Sequence, residues 1–200
     1  MDNMIRKSMC VLMLLVVMTA GCGTSPSVHY YGLDTIDIAY TKDLESSPVL
    51  TLGPIRMPEY LKRSQMVTRG SGAEIIVDDF NRWAEPLGDA VNSILASNVD
   101  SLLKSMIVIA YPSAALMEVD YRLVGRIVRF DSGKDGLIVL EVQWGAADTG
   151  GNAMVTPRRG RYESEATVPG DAGAIALAMS DALAQFSRDI ASEIESAGNQ

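Results

Sequence analysis

Pro86–Ala110 reads PLGDAVNSILASNVDSLLKSMIVIA, and two periodicities follow each other within it. Leu87, Val91, Ile94 or Leu95, and Leu102 recur at helical spacing, which predicts a helix from about Pro86 to Lys104 with one apolar stripe. Pro86 suits the first turn, where a missing N–H leaves nothing unbonded. Met106–Ala110 is wholly apolar, as expected of a central strand buried on both faces.

Outward from this stretch the pattern is strand-like on both sides. Upstream, Val49–Leu52 reads as a first strand, and Gln65–Arg69 with Glu74–Asp78 as a hairpin around Gly70-Ser71-Gly72. Gly53-Pro54-Ile55 and Pro58–Leu61 suit a shaped loop better than a central strand, because proline fixes φ and removes a donor. Downstream, Tyr121–Leu123 and Ile127 open a segment that ends near Asp131. The turn Asp131–Gly136 leads to Leu137–Trp144, and Met154-Val155 and Arg161–Thr167 lie past Thr149–Asn152. Asp171 opens a long amphipathic helix to about Ser196, with Ile175, Met179, Leu183, Phe186, Ile190 and Ile194 on one face. Strands, helix, more strands and a closing helix predict a single α/β domain, a mixed β-sheet with two main helices packed on it.

The N-terminus is of a different kind. Arg6 and Lys7 precede an apolar run, Met9–Met18, and Thr19-Ala20-Gly21 stands directly before Cys22. Ten residues at ~1.5 Å each span roughly half of a ~30 Å hydrocarbon core. The run is therefore a signal h-region and not a spanning helix. Small residues before a cysteine resemble the lipobox read by lipoprotein signal peptidase, although Thr19 stands where Leu is usual. Residues 1–21 are thus expected to leave as a signal peptide, with Cys22 carrying a diacylglycerol and an N-acyl chain. The alternative, ordinary cleavage, would leave Cys22 a reactive free thiol in an exported protein. Residues 22–29 form a tether that reaches at most about 25–30 Å from Cys22 to Tyr30. In the usual sorting logic of lipoproteins, Gly23 in place of Asp points to the outer membrane, with residues 30–200 as the folded domain on its periplasmic face.

Composition narrows the function classes. The chain carries 17 Lys+Arg against 25 Asp+Glu, and removing Arg6, Lys7 and Asp2 with the signal leaves 15 against 24, a net −9. Such a chain is a poor binder of nucleic acid and does not adhere to an anionic membrane by charge, so attachment rests on the acyl chains. His29 is the only histidine and lies at the end of the tether; Cys10 leaves with the signal. Histidine triads and zinc sites therefore cannot be built, and no metal or cofactor is expected. Asp78 and Asp79 would point to opposite faces of a strand. Gly70-Ser71-Gly72 lacks the Lys and helix of a phosphate loop. Two basic clusters stand against the acidic background: Arg56, Lys62, Arg63 and Arg69, and Arg158, Arg159 and Arg161. Either they are solvated strand ends, or they dock to an acidic partner or to lipid phosphates.

Gly53–Arg69, GPIRMPEYLKRSQMVTR, resembles a signature of the ABC-type transport auxiliary lipoprotein family (PqiC-like), which reads close to GPVxLPxYLDRxQIVxR. Arg82–Leu87, RWAEPL, looks like its second signature, and Ala178–Ser187 is similar to its C-terminal helix. Met57 replaces the usual Leu, and Lys62 the usual Asp, which reverses a charge. The resemblance implies an α/β fold similar to anticodon-binding-like and TolB N-terminal-like domains. It also implies a non-catalytic outer-membrane subunit of a transport system that contains an MCE-domain protein and supports envelope integrity and lipid traffic. Tyr60, Arg63, Arg69, Arg82 and Trp83 are then the candidate partner-binding residues, facing the periplasmic MCE subunit or a second copy of the chain. The bland alternative is that Tyr60 and Trp83 simply cover the sheet edge. Two other classes stay open: a periplasmic lipid carrier with an apolar cavity, and an enzyme working through carboxylates alone.

Overall fold

Alternating apolar residues in the second half of the chain build the longest strands, and everything else is arranged on them. The computed structural model describes residues 26–36, 47–112 and 118–198. The signal, Cys22 and the first part of the tether lie outside the described residues. In chain order the elements are β1 (His29–Tyr31), β2 (Val49–Arg56), a 3-10 turn (Glu59–Leu61), β3 (Gln65–Arg69), β4 (Ile75–Trp83), α1 (Leu87–Leu102), β5 (Ile107–Ala110), β6 (Tyr121–Ser132), β7 (Leu137–Asp148), β8 (Ala153–Glu165) and α2 (Ala172–Gly198).

β6, β7 and β8 form the antiparallel meander that the turn spacing predicts. The other edge of β6 is shared. Its first half pairs in parallel with β2, and Ser132 at its end pairs with Thr68 of β3. β3 carries β4 antiparallel and β4 carries β1 parallel, so the sheet is mixed. Both helices lie on one face. α1 packs on β2 and β5, α2 on β7 and β8, and the helices on each other. Every residue of the stripe read in α2, from Ile175 to Ile194, is buried, and Phe186 sits edge-on to Trp144 at 5.7 Å between centroids. Gly32–Ile36 crosses the helices: the N–H of Asp34 donates to Ser180 Oγ and that of Ile36 to Asn98 Oδ1, both at 2.9 Å.

Four sequence expectations change. Met106–Ala110 does not make a central strand: among the described residues β5 pairs only with β2, and it is buried because α1 covers it. Gly53-Pro54-Ile55 is not loop but the end of β2. Pro54 fits because the register with β6 slips between Leu52 and Ile55 and β5 pairs no further than Leu52. Gly53 has φ +110, and a Cβ there would meet Asn92 Oδ1 at 2.9 Å. That same oxygen accepts the N–H of Ile55 at 3.0 Å, standing in for the lost ladder bond. The tether is shorter than predicted, because His29 already belongs to β1. Finally, Asp131 is not a turn residue but a fully buried member of β6.

Candidate functional site

The first signature sequence folds around that aspartate. A register shift in β6 between Ile127 and Arg129 sets Arg129 and Asp131 on one side of the strand. β3 brings Arg69 alongside, and the 3-10 turn swings Tyr60 over the top. Tyr60 Oη donates to Asp131 Oδ2 at 2.8 Å, and Arg69 donates Nη2 to Oδ2 at 2.8 Å and Nε to Oδ1 at 3.2 Å. Arg129 Nε donates to Oδ1 at 2.7 Å. The Arg69 guanidinium also lies 6.0 Å from the Tyr60 ring centroid, at the edge of cation–π range. Burial alone would raise the Asp131 carboxyl, but the donors from Arg69, Arg129 and Tyr60 outweigh it and hold the group below the ordinary carboxylate range. Burial, the hydrogen bond to Asp131 and its charge push the Tyr60 hydroxyl up to about 12. Both carboxylate oxygens are occupied, so the cluster braces the loop and presents no free base.

Beside this brace lies a cleft of about 1170 Å³. One wall is Arg56–Glu59 with Lys62–Ser64, the other is Trp83–Asp89, and Tyr30, Asn92 and Arg126 complete it. The Trp83 N–H donates to Ser64 O at 2.6 Å and ties the walls together. Exposed Arg63 makes no ion pair with a described residue. Neighbouring Lys62 is paired with Glu59 at 2.5 Å.

The five candidate partner residues therefore separate. Arg63 and Trp83 meet at the cleft, although Trp83 is only 6% exposed and serves mainly as core. Tyr60 and Arg69 serve Asp131. Arg82 is half-buried on β4, outside the cleft, and its Nε has no protein partner among the described residues. Asp131, Arg129 and Asn92 escaped the sequence reading. No local signal announced them, since Asp131-Ser132-Gly133 has the composition of a turn. No group of three or more His, Cys, Asp or Glu among the described residues could hold a metal ion, and no helix there is long and apolar enough to cross a membrane.

A helix-backed mixed sheet carrying a braced signature loop defines the class: a single α/β domain with both helices on one sheet face. Residues 31–191 match the model of the ABC-type transport auxiliary lipoprotein component family, and the chain belongs to that family. It is 21% identical over 127 residues to the intermembrane transport lipoprotein PqiC of Escherichia coli K12, a match covering 62% of this chain. The match spans 66%, just under two thirds, of the relative's length, and PqiC of Shigella flexneri matches equally. Among solved structures, that of an uncharacterized protein aligns with a TM-score of 0.71 at 22% identity, covering 84% of this chain and 99% of its own. Protein XCC0632 from Xanthomonas campestris aligns at 0.67 and 18% identity, covering 86% and 98%. At these identities the two structures speak for the fold.

Proposed function

We propose that the chain is a non-catalytic outer-membrane subunit of an intermembrane transport system that includes an MCE-domain protein, anchored through acylated Cys22, and that the signature cleft receives the periplasmic MCE subunit. Membership of a transport auxiliary family supports the role, and the name of the PqiC relatives supports transport between membranes. The observation that carries the cleft is its rigidity. One wall is tied through Tyr60 to a fully buried carboxylate that Arg69 and Arg129 also hold, and the other is the start of α1, so a partner meets a preformed surface. Arg63 is a free cation on the loop wall, of a residue type that anchors interfaces.

The test is Arg63→Glu, assayed by co-purification of the MCE subunit with the anchored protein. Arg63 is exposed, so the melting temperature should stay within a degree or two of wild type. Capture of the subunit should fall roughly tenfold or more. A folded variant that captures the subunit at wild-type yield places the interface elsewhere.

A further inference from the structure

One member of each basic cluster, far apart in sequence, reaches the sheet face that neither helix covers. Most cations of the two clusters are engaged. Arg69 holds Asp131, Lys62 pairs with Glu59, Arg158 with Glu193, and Arg161 with Glu141 and Glu163. Arg63, at the signature cleft, and Arg56 and Arg159, on the sheet, remain. The register aligns the last two: Arg56 of β2 stands beside Arg126 of β6, Arg126 opposite Gln143 of β7, and Gln143 opposite Arg159 of β8. Four adjacent strands therefore carry Arg, Arg, Gln and Arg in one row, on the order of 15 Å across at the usual strand spacing.

All three arginines are exposed, and none makes a hydrogen bond or ion pair with a described residue. Like charges side by side on neighbouring strands destabilise a sheet. Carboxylates of the neighbouring strand β7 do not relieve them. Glu141 is taken by Arg161, and Asp148 accepts two hydrogen bonds from Asn152, both at 2.8 Å. The row borders an apolar trough in a concavity of about 940 Å³, floored by Val124, Gly145 and Pro157. Val124 is 50% exposed there. A Cβ on Gly145 would lie 3.2 Å from Val155 O, so the floor stays open at that point.

Row and trough together select the occupant. β6 and β7 have ladder partners on both sides, so no extended peptide can add to them as a strand. An acidic peptide would use the cations and leave the apolar floor empty. A phosphate joined to hydrocarbon uses both, since guanidinium forks bind phosphate oxygens bidentately. We propose that this face binds a glycerophospholipid, its phosphate held by Arg56, Arg126 and Arg159 and its hydrocarbon laid along Val124, Gly145 and Pro157. The proposed transport role supplies only the source of the ligand; the site itself is read from the row and the trough.

The test titrates the mature anchored protein, in an uncharged maltoside, with dihexanoylphosphatidylglycerol, a short-chain soluble phospholipid. Saturable binding is expected, weakened roughly tenfold or more in Arg126→Gln/Arg159→Gln. The melting temperature of that variant should be unchanged or higher, because it relieves repulsion between strands. Val124→Glu should weaken binding as well, and inorganic phosphate alone should compete poorly. Unaltered affinity in the double variant, or no saturable binding by the wild type, overturns the proposal. So does inorganic phosphate competing as well as the lipid, or a decaglutamate peptide binding more tightly than it. A protein that fails here yet captures the MCE subunit through Arg63 loses this inference and keeps its proposed function.

Discussion

A carboxylate without solvent exposure, Asp131, shapes the first signature, and its three donors come from three separate segments of the chain. Its lowered pKa fixes the sign of the pH response. The unfolded chain takes up a proton near pH 4 while the folded one resists. The stabilisation is therefore complete above the unfolded value and is lost as pH falls through the folded one. Tyr60 acts at the other end. Raised to about 12, it contributes fully below pH 10, and that contribution disappears as pH climbs from about 10 to 12. Asp131→Asn should remove the charge that Arg69 and Arg129 need, destabilising the fold by about 2–4 kcal/mol, given that both guanidinium groups are partly exposed. Chemical denaturation at pH 7 measures the loss. The same experiment near pH 3 should show a smaller gap between variant and wild type; an equal gap at both pH values would mean that the charge of Asp131 is not what matters. None of this was legible in the sequence. Asp131-Ser132-Gly133 has the composition of a turn, and Tyr60 and Arg69 stand more than sixty positions upstream, with nothing local to announce the pairing.

At the scale of elements, legibility followed the length of the repeating pattern. The stripe of α2 repeats over six positions and the alternation of β6 and β7 over a dozen residues per strand, so both were readable. β8 instead reads as two pieces, Met154-Val155 and Arg161–Thr167, because Pro157 and Gly160 interrupt its pattern. β1 has three residues and is made by parallel pairing with β4, a non-local contact without periodicity of its own. β5 was read correctly as a strand but placed wrongly, because an apolar run reports burial and not which neighbour provides it. Trp83 looked like a surface aromatic before a helix; five further strand residues beyond the expected end of β4 at Asp78 carry it into the core. Leu183 tests the helix face directly, since it is fully buried against the sheet. Leu183→Asp should abolish cooperative folding, because an unpaired buried charge costs several kcal/mol out of a total stability of ~5–15. Circular dichroism should show no cooperative thermal transition. A melting temperature like that of wild type would mean that α2 does not dock through this residue.

For the whole molecule, the start of β1 decides how the domain sits relative to its anchor. Six residues lie between Cys22 and His29, and the seven steps limit their distance to about 25 Å. β1 runs along β4, and its Tyr30 lines the signature cleft, so the anchored end of the chain and the cleft are neighbours. In the proposed arrangement a partner using that cleft is met close to the membrane face, and the acyl chains become part of the docking geometry. Anchoring as proposed would also confine the domain to a thin layer, which raises its effective concentration for a partner held in the same envelope. The prediction is that Cys22→Ser releases the protein from the outer-membrane fraction and removes its acyl mass. The melting temperature of the domain should be preserved, because Cys22 lies ahead of every strand and helix described here. Capture of the MCE subunit in cells should fall even though the cleft is intact, and re-attaching the domain through a different lipoprotein signal should restore it. Cell fractionation with intact-mass measurement checks the anchor, and co-purification from the re-anchored strain checks the geometry. A Cys22→Ser protein that stays in the outer membrane with an acyl mass would sink the lipoprotein reading. A re-anchored domain that still fails to capture its partner would mean that Cys22 contributes more than attachment.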